Sequence, residues 1–309
     1  MQTYDLVAVD IGKDSLQIQT TSQAFILPNT PQGLRKLLAH LPTLPHPLVV
    51  FEASGGYERK LLDALREASI AHRLINPARI RAFALSEGIK AKTDPIDARL
   101  ILRFAQEKKL QAGAPLSARQ QILADLLDRR NHLSEQSGRE KNRLEKASKT
   151  TAGFIRKMLK AVESQMQAVE RAIRLHIGSD SKLASQVREM TSVEGVGEVT
   201  AWTVLAYLPE ITTIGRNQLV ALAGVAPFNR DSGHTQGKRF IFGGRAKLRR
   251  VLYMATLSGA THNTVIRDYV HALIARGKAF KCALVAGMRK LLIHLQSRLK
   301  QLEQKSLAA

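Results

Sequence analysis

The sequence contains little cysteine, few aromatic residues and no long apolar run. Cys282 is the single cysteine among 309 residues, which excludes an intramolecular disulfide framework and a multi-cysteine zinc site. No run of about eighteen apolar residues lacks a charge or a proline, and Asp5 and Asp10 fall where a signal peptide needs an apolar stretch. We therefore expect a cytoplasmic protein that does not enter a membrane.

Acidic residues are also scarce relative to basic ones. The chain has 47 Lys and Arg against 26 Asp and Glu, a formal charge of +21 and a pI near 10.4. This excess favours a polyanionic partner, and nucleic acid is the leading candidate. Aromatic residues make up only 5% of the chain, so phosphate contacts are expected to matter more than extensive base stacking.

The first third of the chain alternates between strand and helix patterns. Apolar, β-branched segments bounded by turn residues predict strands, and capped amphipathic segments predict helices. The predicted strands are residues 4–9, 15–20, 24–28, 48–52 and 72–75, and the predicted helices are 31–41, 57–68, 78–86 and a segment starting at Asp94. The order βββαβαβα is typical of an RNase H-like domain with a mixed sheet.

The rest of the chain reads as helical, so the predicted fold class is α/β plus all-α. Residues 117–177 form a basic helical arm, with ten Lys or Arg against three Glu between Arg129 and Lys160. An apolar seam spaced 4-3-4-3-4 predicts either a coiled coil between chains or a helical hairpin within one chain. The seam consists of Ile155, Leu159, Val162, Met166, Val169 and Ile173.

A third part begins near Leu183, which divides the chain into predicted domains 1–112, 113–182 and 183–309. Its first motif is the segment 191–197, in which Gly195 and Gly197 lie between two helical patterns. Such a turn either lets backbone amides approach a DNA phosphate, as in a helix-hairpin-helix element, or simply joins two helices. Further helices are predicted at 217–223, 245–259 and 279–304, with a long polar loop between the first two.

Four carboxylates occur where ligands of a metal ion are expected. Asp10 and Glu52 each end a predicted central strand, and Asp94 and Asp97 are three residues apart at the start of a helix, hence on one face. Mg2+ prefers such hard oxygen ligands together with substrate phosphate. The set predicts a site for magnesium ions that position a phosphate, activate a nucleophile and stabilise the leaving oxygen.

Two other interpretations of these carboxylates remain open. Asp94 and Asp97 flank Pro95 in a sequence that is also typical of a capped helix N-terminus. The segment from Asp10 to Lys13 also resembles the phosphate loop of sugar kinases and actin-like ATPases. Those proteins need a second, duplicated domain, and the C-terminal half shows no second phosphate loop.

The long polar loop contains a candidate nucleophile, Ser232. Arg230, Lys238 and Arg239 would stabilise a pentacovalent phosphate, and His234 or a metal-bound hydroxide could take the serine proton. The alternative is that Asp-Ser-Gly only makes a turn. On the following helix, phosphate contacts are the simplest expectation for a group of cations, with a solvated helix face as the alternative; these are Arg245, Lys247, Arg249 and Arg250.

Five motifs in order resemble one family of proteins. They are VDIGK at 9–13, FEASGGY at 51–57, KTDPIDA at 92–98, GVG at 195–197, and GVAP at 224–227 with RDSG at 230–233. They resemble the DEDD insertion-sequence transposases related to the Piv DNA invertase, a group that includes bridge-RNA-guided recombinases. The resemblance covers almost the whole chain.

The resemblance implies a RuvC-like N-terminal domain, a coiled-coil arm and a mostly helical C-terminal transposase domain with the serine. It implies magnesium at Asp10, Glu52, Asp94 and Asp97, and a covalent phosphoserine link between Ser232 and DNA. It also implies dimers that pair into tetramers with composite sites and, in the guided branch, a noncoding bridge RNA. The competing functions are a metal-dependent junction nuclease that uses water and a non-catalytic nucleic-acid-binding scaffold.

Overall fold

The computed structural model describes residues 3–89, 94–113, 117–228 and 239–308, with backbone alone at 94–96 and 307–308. The chain divides into two compact units, residues 1–115 and 116–309. The division into three domains at residues 112 and 182 stays a prediction. In the part of the chain that the structure describes, no helix is long and apolar enough to cross a membrane.

The first unit is built on a mixed five-stranded sheet. Its strands are β1 (Asp5–Ile11), β2 (Ser15–Gln19), β3 (Ala24–Pro28), β4 (Pro47–Glu52) and β5 (His72–Ile75). They lie in the order β3-β2-β1-β4-β5, with β1, β4 and β5 parallel and β2 and β3 antiparallel to their neighbours. The predicted βββαβαβα order and the mixed sheet are confirmed.

Helices cover both faces of this sheet because alternate strand residues point to opposite sides. Val7, Val9 and Phe51 pack on one face, against α1 (Pro31–His40) and α2 (Arg59–Glu67). Ala8 and Val50 pack on the other face, against α3 (Pro77–Ser86) and α4 (Asp94–Glu107). All five side chains are fully buried, which fixes the register of the two central strands.

The second unit is almost entirely helical. Its helices are α5 (Ala118–Leu144), α6 (Lys149–Gly178), α7 (Ser181–Thr191), α8 (Glu198–Tyr207), α9 (Arg216–Leu222), α10 (Ala246–His262), α11 (Thr264–Ala275) and α12 (Phe280–Ala308). A two-stranded ribbon of β6 (Pro227–Phe228) and β7 (Phe240–Ile241) lies between α9 and α10. The core surrounds α8, whose Trp202 is almost completely buried.

The arm is a helical hairpin in which α5 packs along α6. Val162 and Ile173 of the predicted seam are buried, and the other four seam residues are partly buried. Within one protomer, the burial of the seam therefore favours the predicted helical hairpin. Whether chains also associate through the arm stays a prediction.

Candidate active site

Asp10 and Glu52 lie side by side at the carboxyl ends of the two central strands. The parallel register pairs Val9 with Phe51, which places Asp10 next to Glu52. By the alternation along each strand, both acids share the face of Ala8 and Val50, the face that α4 covers. Both are partly buried. The predicted meeting of the two strand-end carboxylates on one face is therefore consistent with the observed register.

Helix α4 brings a third acid to the same edge. After α4, the backbone N–H of Gly113 donates to the carbonyl of His72 at the start of β5, 2.9 Å away. The end of α4 therefore faces the beginnings of the parallel strands, and its start faces their carboxyl ends. Asp97 lies one turn before Leu100 and Ile101, which are buried against the sheet, so it falls on the sheet-facing side of the helix.

The fourth acid, Asp94, is the first residue of α4, and its side chain lies outside the described residues. Among the side chains that are described, no three His, Cys, Asp or Glu lie close enough together to form a metal site. The fold thus brings Asp10, Glu52 and Asp97 to one face of one sheet edge. Coordination of metal by all four acids stays a prediction.

Glu58 is a functional candidate that the sequence patterns did not single out. Its carboxylate accepts hydrogen bonds from Ser54 N–H (3.1 Å), Ser54 Oγ (2.9 Å) and Gly56 N–H (2.8 Å). Burial by itself raises the pKa of Glu58, but hydrogen bonds from the backbone N–H groups of Glu58, Gly56 and Ser54 and from the Ser54 hydroxyl outweigh it and lower the pKa. Glu58 therefore holds the turn that follows Glu52. The signal for it was the acid six residues after the strand end, beyond the two glycines.

The loop with the candidate nucleophile is anchored at its two ends. Ser232, Arg230 and Lys238 lie outside the described residues. Gly224 and Gly244 both have positive φ (69° and 68°). They pack so closely that a methyl group on Gly224 would overlap the backbone of Gly243, and one on Gly244 would overlap the backbone of Gly224. We use the name neck for residues 222–228 and 239–245.

Hydrogen bonds hold the same neck to helix α10. The backbone N–H of Arg245 donates to the carbonyl of Leu222 over 2.8 Å. The Arg249 guanidinium donates to the carbonyl of Gly243 over 2.6 Å. The two ends of the loop therefore leave the core from a fixed position, although they are far apart in sequence.

Two cations predicted to contact phosphate are engaged inside the second unit. Arg245 donates to the carbonyl of Tyr207 (2.6 Å) and to Glu210 (2.5 Å). Lys247 forms an ion pair with Asp128 and lies 4.8 Å from the centre of the Tyr207 ring. These contacts give both residues a role in packing α10 onto its neighbours. A phosphate contact by either stays a prediction.

The other cations near the neck differ in their surroundings. Arg250 forms an ion pair of 3.0 Å with Glu135 on the arm, and Arg249 binds the neck as described. Arg239 is exposed beside β7. Arg239 is therefore accessible to a phosphate, as are the exposed side chains of Lys247 and Arg250.

Gly195 and Gly197 have different structural roles in the turn between α7 and α8. Gly195 has a φ of +90°, and a Cβ there would lie 2.7 Å from the backbone of Gly259 on α10. Gly197 begins α8 with an ordinary φ of −85°, and a Cβ there would meet nothing within 4 Å. The helix–helix turn is thus observed, and close packing explains Gly195. A contact of either glycine with DNA stays a prediction.

Comparison with known proteins identifies the family of the chain. Residues 7–151 match the DEDD domain of IS110-type transposases, and residues 187–271 match the domain described as transposase of the IS116/IS110/IS902 family. The pilin gene-inverting proteins of Moraxella lacunata and Moraxella bovis are each 26% identical to the chain over 303 residues, covering 94% of both chains. The matched DEDD domain spans all four acids, and the second domain spans Ser232 and the neck. The chain therefore belongs to the IS110-type DEDD transposases and is a DNA recombinase enzyme.

Proposed function

We propose that the chain is the transposase of an insertion sequence and that it cuts and exchanges DNA strands through a covalent phosphoserine at Ser232. The observation that carries this proposal is the placement of Asp10, Glu52 and Asp97 on one face of the sheet edge. The serine belongs to the loop that leaves the neck. The names of the Moraxella relatives, which refer to inversion of a pilin gene, support site-specific exchange of DNA by this chain as well.

The donor set suits magnesium. Asp10, Glu52 and Asp97 offer carboxylate oxygens on one face of one sheet edge, and Asp94 lies one turn before Asp97 on the same helix. These four residues would hold the metal, which when bound supplies positive charge that orients the scissile phosphate and stabilises its developing negative charge. Glu58 keeps the turn after Glu52 in one conformation, so the second strand-end carboxylate is presented reproducibly.

Ser232 acts as the nucleophile in this proposal. A bond forms between its Oγ and the phosphorus as the bond from phosphorus to one strand oxygen breaks. The serine proton passes to a general base, for which His234 is the candidate, and the leaving oxygen gains a proton to become a free hydroxyl. A hydroxyl of the exchanged strand then attacks the phosphoserine and releases the serine. The phosphodiester energy is retained throughout, so no ATP is needed.

The proposal includes partners that follow from the family resemblance. We propose that dimers pair into tetramers and that a noncoding bridge RNA directs the protein to its DNA sites. The net charge of +21 supports binding to nucleic acid. An RNA transcribed from beside the gene that copurifies with the full-length protein would support guidance, and activity unchanged by ribonuclease would contradict it.

The serine role is tested on DNA that carries the element's end and its flanking sequence. The native protein should form a protein–DNA adduct that survives a denaturing gel, and Ser232→Ala should lose the adduct entirely. Ser258→Ala, at an exposed serine of α10, is the matched control and should retain it. An adduct formed by Ser232→Ala would exclude the serine. Cleavage without any adduct in the native protein would favour the junction nuclease.

The carboxylate role is tested separately. Glu52→Gln should lower strand cleavage by about 100-fold or more, because a neutral amide binds a divalent cation poorly. Chelation of divalent metal should abolish cleavage by the native protein and leave DNA binding measurable. Recombination by Glu52→Gln at the native rate would exclude the metal role. Indifference to both metal and all substitutions would favour the non-catalytic scaffold.

A further inference from the structure

Three exposed phenylalanines surround the neck of the serine loop. Phe228 is 43% exposed, Phe240 is 44% exposed and Phe242 is 68% exposed. They are a third of the nine phenylalanines in a chain that has only 5% aromatic residues. Large apolar side chains that are partly exposed and close together in a fold often mark a binding surface.

Two of the three rings share one face of the ribbon. Phe228 and Phe240 are directly opposed across the antiparallel pair of β6 and β7, and opposed residues project to the same face. Phe242 lies just beyond the end of β7, two residues after Phe240. We call these three residues the phenylalanine face.

The backbone beneath the phenylalanine face is fixed in place. The contact between Gly224 and Gly244 and the hydrogen bond from Arg249 to Gly243 close the neck within a few residues of Phe242. A binding group on such a base loses little conformational entropy when it is occupied. The face is therefore preorganised, and it stands at the two points where the loop with Ser232 begins and ends.

The size and the charge of the phenylalanine face both favour a nucleobase as its occupant. The exposed ring surface amounts to roughly 300 Å², whereas a stable protein interface buries about 800 Å² on each partner. Arg239 is adjacent to Phe240 and exposed, and seven Lys or Arg occur against one Asp between residues 230 and 250. Aromatic side chains beside cations match bases beside phosphates.

We propose that the phenylalanine face stacks on an unpaired base of the DNA strand that Ser232 attacks. This inference rests on the proposed function, because the strand in question is the substrate of the serine. Stacking would hold the strand beside the loop and would favour sites where the duplex is already opened. It needs no particular base, since every base offers a π face.

The test uses a duplex with a short unpaired bubble that contains 2-aminopurine, whose fluorescence falls when the base stacks. It is performed with full-length Ser232→Ala protein, so that no cleavage occurs. Binding should quench the fluorescence. Phe242→Ala and Phe240→Ala should each remove most of the quenching and weaken binding about tenfold, as expected for the loss of one base–aromatic stack. Phe242→Tyr should restore both.

Phe154 supplies the matched control. It is 73% exposed on α6, and Phe154→Ala should leave both the quenching and the affinity unchanged. Unchanged quenching in all variants of the phenylalanine face would overturn the proposal. Unchanged quenching together with an altered oligomeric state would overturn it in favour of a contact between protein chains.

The test separates this inference from the proposed function. If the native protein forms the adduct and the phenylalanine variants still quench the 2-aminopurine fluorescence fully, only the stacking inference is wrong. If the native protein forms no adduct but the variants lose quenching, the phosphoserine mechanism fails, and stacking on an unpaired base stands without its link to Ser232.

Discussion

At the scale of single residues, the acidic edge depends on a carboxylate that is not expected to bind metal. Glu58 gathers two backbone N–H groups and one hydroxyl of the turn that follows Glu52. Burial raises the pKa of Glu58, but its own backbone N–H together with these donors favours the ionised carboxylate and holds the pKa below its ordinary value of 4.5. The geometry of the turn is therefore coupled to the protonation of Glu58.

The coupling predicts a dependence of stability on pH. Because the folded-state pKa is lowered, the contribution of Glu58 is fully present above its unfolded pKa and is lost as the pH falls through its folded pKa. Glu58→Ala should lower the free energy of unfolding by about 1 kcal/mol near neutral pH. Urea unfolding from about pH 7 toward about pH 3 should show this difference shrinking.

Glu67→Ala is the matched control for this prediction. Glu67 is an exposed acid at the other end of the same helix, and its loss should change the free energy of unfolding little at any pH. A difference between native protein and Glu58→Ala that grows at low pH would contradict the assigned role.

Single residues also show which features of the site could be predicted from the sequence. Asp10 and Glu52 were predictable because parallel strands end at a common edge, and period-two burial assigns each residue a face. The role of Glu58 was not predictable, since two of its donors are backbone N–H groups whose direction depends on the turn. The partners of Arg245 and Lys247 could not be predicted from the sequence either, because Glu210 and Asp128 approach these cations only when the helices pack.

At the scale of elements, the two glycines of the turn between α7 and α8 allow a role in packing to be distinguished from a role in DNA binding. Gly195→Ala introduces a side chain at positive φ and against Gly259, so it should destabilise the protein by about 2 kcal/mol or more. Gly197→Ala has open space and an ordinary φ, and should cost less than about 1 kcal/mol. Thermal melting of both variants measures the difference.

DNA affinity completes this comparison. If the turn contacts phosphate, Gly197→Ala should weaken DNA binding at nearly unchanged stability. Equal destabilisation by the two variants would contradict the packing role of Gly195.

Elements were predictable where a periodic pattern was long. The strands of the first unit and most of the helices follow from local periodicity and capping. Two features escaped it. Helix α11 is short and follows α10 after a single residue, Asn263, so the boundary carries no separate loop. The ribbon of β6 and β7 pairs only two residues on each side and depends on the neck rather than on strand propensity.

At the scale of the whole molecule, the excess of positive charge does not act uniformly. Several cations are used within the second unit, including Arg245 with Glu210 and Arg250 with Glu135. Others, such as Arg239, are exposed. Fewer than the 47 Lys and Arg are therefore free to contact phosphate, although the net charge of +21 already subtracts the acids that pair with them.

This division predicts different effects for two similar substitutions. Arg239→Ala should leave the melting temperature unchanged and reduce the slope of log affinity for DNA against log salt by about 1, as expected for one lost phosphate contact. Arg245→Ala should lower the free energy of unfolding by about 1 to 2 kcal/mol, because Glu210 and the Tyr207 carbonyl lose their donor. A lower stability of Arg239→Ala together with a smaller salt dependence of DNA binding in Arg245→Ala would contradict both assigned roles.

The closed neck has a consequence for how such an enzyme can evolve. Gly224 packs against Gly244, and Arg249 donates a hydrogen bond to the carbonyl of Gly243. Both sides of the neck are therefore fixed to the helical scaffold, before residue 229 and after residue 239. Selection should therefore keep glycine at both positions, because a side chain at either one would disturb the neck and the helical scaffold to which the neck is fixed.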